Sequence, residues 1–224
     1  MSAFQVNTPF QGVVKHLIII NVLMFIGTHV LLGQDVFDYE RFDYITLGRM
    51  QLAAFLPGSA HFEPFQIFTH MFMHGDIGHL LFNMLSIYWF GTMVEMIWGP
   101  KRFLFFYLFC GVGAYILQNG VQWWELSKEG FDPTMWNGCS LGASGAVFGI
   151  LVAYALHFPN MEIRLLFPPI AMRAKYFVPI IAVLELVYGV SGIQSGIAHF
   201  AHLGGALFGY LLILYWSGGR IRNY

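Results

Sequence analysis

A chain of 224 residues that is 57% hydrophobic and only 10% charged cannot cover itself as a soluble globular domain does, and a mean hydropathy of +0.62 points to lipid as its solvent. A net charge of −1 excludes the basic field that nucleic-acid binding needs. Two cysteines, Cys110 and Cys139, exclude a disulfide framework and a cysteine-built metal site.

Six stretches are apolar enough to be membrane helices: 12–32, 73–94, 102–120, 141–158, 174–191 and 197–216. The expected fold class is therefore all-α: a polytopic membrane bundle of six transmembrane helices in one domain over 1–224. The first apolar run begins near residue 12 and carries no small-residue cleavage site, so no signal peptide is expected. The long first loop, 33–65, mixes Asp35, Asp38, Glu40, Arg41 and Asp43 with Met50, Leu52, Phe55 and Leu56, a mixture expected to lie partly in the membrane interface. There is no internal repeat, which weighs against a transporter. Lys15, Lys101, Arg102, Arg164, Arg173, Lys175, Arg220 and Arg222 fall on the side of the N-terminus; Arg41, Arg49 and Lys128 fall opposite. That asymmetry predicts N-in, C-in.

Polar side chains inside a bundle are costly in lipid, so each is a site candidate. The second span opens with HMFMHGDIGHLLFN (70–83), where His79 and Asn83 are four apart and share a face. The fourth carries Ser144 within CSLGASGAVFGI (139–150), expected about one turn from the helix start. The sixth opens with IAHFAHLGGALFGY (197–210), carrying His199 and His202. At about 1.5 Å per residue, all three helices put these groups within about 10 Å of one membrane face. Gly145 with Gly149, and Gly205 with Gly209, form two GxxxG faces. If those faces pack, Ser144 meets His202, the nucleophile–base pairing of serine catalysis. His79, Asn83 and the Ser144 backbone N–H are candidate donors to the oxyanion that attack creates.

No acidic residue in the sixth span or early in the fourth is placed to orient His202. Glu185 lies in the fifth span at a depth the sequence leaves open, so a Ser–His dyad is expected rather than a triad. His70/His74 and His199/His202 also have helical ligand spacing, but there is no HExxH and no carboxylate beside the histidines of the sixth span. No metal and no cofactor are expected. Taken singly, a serine in a Gly/Ala-rich helix is a packing residue and a membrane histidine a hydrogen-bonded structural group; the joint pattern carries the functional reading.

GASG at 142–145, AHLGGALFG at 201–209 and HGDIGHLLFN at 74–83 together resemble the rhomboid family of intramembrane serine proteases, over nearly the whole chain. The resemblance implies a bacterial-type six-helix member. Ser144 matches the nucleophile and His202 the general base. His79 and Asn83 match the oxyanion-stabilising pair. Gly142, Gly145, Gly205 and Gly209 match supporting glycines, and Glu95 a buried structural acid. Phe148 stands where relatives often carry a Tyr against the catalytic imidazole; it keeps the ring and lacks the hydroxyl. Phe65 and Gln66 replace a Trp-Arg pair common in relatives, so the first loop is expected to be anchored differently. The resemblance further implies cleavage of transmembrane protein substrates, in or beside their membrane segments, through an acyl-enzyme. The expected location is a bacterial inner membrane, with lipid as the other partner and the site opening to the outer face. The loop 190–197 (VSGIQSGI) is a candidate lid. The alternative is a non-catalytic member of the same fold that binds transmembrane clients; oligomeric state is open.

Overall fold

The computed structural model describes residues 12–33, 35–38, 43–136, 138–164, 169–192 and 198–219. The candidate lid falls largely on 193–197, outside the described residues, as do Arg220 and Arg222 of the charge asymmetry.

Helix α1 (Val13–Ile26) continues through a π-helical turn, Gly27–Leu31, to make one apolar span. Its orphan N–H groups are met by a side chain distant in sequence: the Glu95 carboxylate accepts from Val13 N–H (2.7 Å) and Val14 N–H (3.0 Å). The first loop then builds an antiparallel pair, β1 (Asp35–Asp38) with β2 (Asp43–Thr46), and a short helix α2 (Leu47–Leu52). Strand β3 (Ala54–Phe55) and helix α3 (Gln66–Thr69) follow.

Gln66 supplies the loop's anchor. It is fully buried, its Nε2 donates to the carbonyls of His61 (2.8 Å) and Gln51 (3.2 Å), and its Oε1 accepts from Glu63 N–H (3.1 Å). A neutral amide that satisfies backbone on both sides can be buried at little cost. Phe65 beside it is half exposed.

Helix α4 (Ile77–Ser86) is capped by Asp76, which accepts from His79 N–H, and runs through a π-helical turn (Ile87–Gly91) into α5 (Thr92–Trp98). Gly99, at φ +79°, turns the chain into α6 (Pro100–Lys128). This helix is 29 residues long and passes well beyond the expected end at 120. The polar residues Gln118, Asn119, Gln122 and Glu125 lower the local hydropathy, yet the helix persists because Asn119 bonds back to Tyr115 O (2.9 Å) and Gln118 accepts from Ala201 N–H (3.1 Å). Strand β4 (Cys139–Ser140) pairs antiparallel with β3 and ties the first loop to the segment before Ser144.

The remaining helices are α7 (Ser144–His157), α8 (Ala174–Ser191) and α9 (His199–Ser217). Strands β5 (Glu162–Arg164) and β6 (Ala171–Arg173) form a hairpin between α7 and α8. Among the described residues, five helical runs are long and apolar enough to cross a membrane: Val13–Leu31, Ile77–Trp98, α6, α8 and α9. The expected fourth span, α7, is apolar but has 14 residues, about 21 Å at 1.5 Å each. It is buried among the others, where a short helix needs no full lipid-facing length. The chain is thus a mostly helical, multi-pass membrane bundle.

The centre of the bundle is the contact among α6, α7 and α9. A Cβ at Gly205 would fall on the Gly145 carbonyl; one at Gly149 would strike Cys110, and one at Gly204 would lie 2.8 Å from Gly113 O. Such close backbone approach is what small residues give helices in lipid, where packing rather than water expulsion drives association. Phe103, Phe106, Tyr107 and Ile150 fill the layer below. At the far end the Arg102 guanidinium lies 4.2 Å from the Trp216 ring centre and 5.5 Å from that of Trp98, joining α5, α6 and α9.

Candidate active site

Ser144 is the first residue of α7 rather than one turn inside it. The reason lies in the backbone of Gly142. Its φ of +128° breaks any helix there, its N–H donates to His70 O (2.9 Å), and a Cβ would meet the His79 ring at 2.8 Å. Only glycine suits that position. As the first helical residue, Ser144 has no intrahelical acceptor for its backbone N–H, which stays available at the positive end of the α7 dipole.

The seam of glycines sets the rest. With Gly145 against Gly205 and Gly149 against Gly209, the Ser144 Oγ stands 2.8 Å from His202 Nε2. The Phe148 ring lies flat on the imidazole, centres 4.5 Å apart and planes 3° from parallel. The stacking that the phenylalanine was expected to retain fixes the plane of the His202 ring.

His79 and Asn83 border the same space from α4. The point beside Gly142 that is 2.8 Å from His79 Nε2 is 3.5 Å from Ser144 Oγ, so ring and hydroxyl flank one small volume. Asn83 is buried, and its amide donates to His79 O (3.0 Å). His70 and His74 do not share a helical face: His70 is in a 3-10 turn (His70–Phe72), and His74 lies beyond it in non-helical chain. The helical ligand spacing read for that pair is therefore not realised. Both are enclosed. Burial pulls the His70 imidazole down to about 4 and that of His74 to about 3.

Sequence reasoning left Glu185 without a depth. It lies level with the imidazoles: its Oε2 is 2.6 Å from His199 Nδ1 and 2.9 Å from His202 Nδ1. The first contact is a hydrogen bond; in the second the Nδ1 and carboxylate oxygen are close but out of line. Helix arithmetic could have found it. Glu185 is six residues before the end of α8 and His202 three residues after the start of α9. At about 1.5 Å per residue their depths differ by about 4.5 Å, within reach of a glutamate. Gln118, which holds the first turn of α9, carried no signal of its role. Among the described residues, Glu185, His199 and His202 also form a group whose donor atoms lie within 4.8 Å of one another, as a metal site would need.

A cavity of about 1720 Å³ connects these groups. Its walls are α4 (Phe82, Asn83, Ser86) on one side and α8 (Ile181, Glu185, Tyr188) on the other, with Ser144 and His202 between.

An apolar helical bundle with a serine and a histidine within hydrogen-bond distance in a cleft between its helices defines a class of polytopic membrane protein with a hydrolase-like centre. The family model of the rhomboid domain matches residues 61–218, and the chain belongs to the rhomboid family. It is 33% identical over 147 residues to the rhomboid protease AarA of Providencia stuartii, covering 63% of this chain and 52% of that one. It is 29% identical over 184 residues to the putative rhomboid protease YdcA of Bacillus subtilis (strain 168), covering 80% and 81%. With rhomboid-like protein 11, chloroplastic, of Arabidopsis thaliana it shares 32% over 155 residues, 66% of this chain and 51% of the relative. The chain spans about half the length of two of these three relatives.

Proposed function

We propose that this chain is an intramembrane serine endopeptidase that cleaves peptide bonds in or next to transmembrane segments of other membrane proteins. The observation that carries the reading is the 2.8 Å approach of Ser144 Oγ to His202 Nε2 at the floor of the cleft. Ser144 donates its proton to His202 Nε2 as Oγ bonds to the scissile carbonyl carbon. The resulting oxyanion faces the Ser144 N–H and the side chains of His79 and Asn83. For Asn83 this requires its amide to exchange the His79 carbonyl for the oxyanion, a small rotation. His202 then returns the proton to the leaving nitrogen as the C–N bond breaks. Water, activated by the same imidazole, hydrolyses the acyl-enzyme.

A cleft of about 1720 Å³ exceeds the roughly 300–1,000 Å³ of small-ligand pockets. Its size and its lateral walls suit a polypeptide segment arriving from lipid. A substrate helix keeps its amides bonded, so residues that weaken a helix, Gly and Pro above all, are expected near the cut. The proposal includes a bacterial plasma membrane as the location, in keeping with the bacterial relatives, and an N-in, C-in orientation with the site opening outward, which the charge asymmetry supports.

Labelling of the detergent-solubilised protein with a fluorophosphonate tests the reading. Wild type labels, and Ser144→Ala and His202→Ala do not, each falling by a factor of 10³ or more, on the order expected for loss of a nucleophile or its base. A well-folded wild type that neither labels nor cleaves in liposomes is instead a client-binding member of the family.

A further inference from the structure

On the reading that Ser144 is the nucleophile and His202 its base, we infer that Glu185 is a positioning residue that holds His202 in its working tautomer and balances the charge the imidazole acquires. His199 braces the same carboxylate from its far side.

Proton bookkeeping begins at the serine. For Ser144 to donate to Nε2, that nitrogen must be bare, so the ring hydrogen sits on Nδ1. The carboxylate oxygen stands 2.9 Å from Nδ1, out of line for a hydrogen bond yet close enough for its charge to favour a proton there. Phe148 fixes the ring plane by stacking but is indifferent to rotation within it; a carboxylate at the edge selects the rotation. His199 donates to that oxygen from Nδ1 at 2.6 Å, while its Nε2 is buried without a hydrogen-bond partner. An N–H at His199 Nε2 would be buried with no acceptor near it, whereas an N–H at His202 Nδ1 has a carboxylate oxygen 2.9 Å away, so the neutral Nδ1–H form suits His199.

Two neutral rings therefore share one carboxylate, and the cluster carries a negative charge before reaction. The side chains of Glu185, His199 and His202 are 18%, 6% and 13% exposed, so this charge is poorly screened. When the Ser144 proton reaches Nε2, His202 becomes an imidazolium beside that charge and the cluster becomes neutral. The interaction is stronger in the transition state than in the resting state, the condition for accelerating the step.

Fluorophosphonate labelling kinetics, with the maximal rate and the half-saturating concentration measured separately, test the assignment on Glu185→Gln and Glu185→Asp. Gln keeps the size and removes the charge; it lowers the maximal rate about 10²-fold or more while half-saturation stays within about twofold. Asp restores part of the loss. Labelling of Glu185→Gln at the wild-type rate overturns the inference, as does an equal loss in Gln and Asp accompanied by a collapsed melting temperature. If Gln does not fold, the ring ¹⁵N shifts of His202 in wild type decide, with Nδ1 protonated and Nε2 bare expected and the reverse overturning it. Labelling lost to a chelator and restored by Zn²⁺ also overturns it, because the three donors would then hold a metal. A wild type that never labels removes the dyad reading itself, whereas a labelled wild type with an unaffected Gln variant removes this one alone.

Discussion

The α7–α9 seam buries Gly145, Gly149, Gly205 and Gly209, whereas the α8 wall buries only Ala174 and Val178 along its eighteen residues. Both regions are apolar, so hydropathy does not separate them. Backbone distance does. In the seam, two helices approach until a methyl group has no room; such packing is stiff rather than compliant, and it holds Ser144 against His202. In the wall, Val183, Leu186, Val187 and Val190 stand exposed and α8 leans on the bundle mainly through its first two turns. On the proposed reading, the close approach of Ser144 to His202 is set by the seam and the side wall of the cleft by α8.

The largest effect that can break this comparison is Gly205→Val. Its side chain collides with the Gly145 carbonyl, which cannot move aside as a flexible side chain would. Overpacking of this kind costs about 1–3 kcal/mol, and a displacement of about 1 Å between reacting groups costs about 10²-fold in rate. Thermal unfolding and fluorophosphonate labelling read the two losses; a variant with normal activity would mean that the seam does not set the register.

Next comes an effect comparable in stability but without the accompanying loss of rate, at the cap of the seam, where His70 O receives the Gly142 N–H. Burial holds the His70 imidazole at about 4 in the folded chain, against an ordinary value of 6.5. Between those pH values the unfolded chain binds the extra proton, so stability is full above pH 6.5 and is lost as pH falls towards about 4. The loss is on the order of 3 kcal/mol. Melting temperatures from pH 7 to 4 should fall, and His70→Gln should flatten the slope; an unchanged slope would put the acid-sensitive group elsewhere.

The smallest effect is Val187→Ala on the outer face of α8, where the side chain meets no core. Melting temperature should shift by no more than about 0.5 kcal/mol of stability allows. A larger loss would show the wall to be packed after all.

The seam was legible because GxxxG spacing is a local pattern with a direct geometric meaning, and Ser144 and His202 precede the glycines by fixed offsets. The start of α7 was not, since it depends on the φ of Gly142, which no periodicity reports. The length of α6 was hidden by its polar residues, of which Asn119 bonds within α6 and Gln118 to α9. Glu185 was obscure for a different reason: its partners lie across a helix hairpin, and adjacency there follows from depth arithmetic rather than spacing on one face. Gln66 stands where relatives often carry the arginine of a Trp-Arg pair, and the loop is anchored there through three backbone groups that its neutral amide meets.

Glu185 rides on the one helix that the bundle grips least. Any swing of α8 away from α9 that widens the cleft draws the carboxylate off the His202 ring by the same motion. Admission and armament then lie on a single coordinate run in opposite directions. On the proposed roles of Ser144, His202 and Glu185, a chain built this way would be interlocked: a carboxylate drawn off the imidazole leaves the serine unassisted until α8 returns.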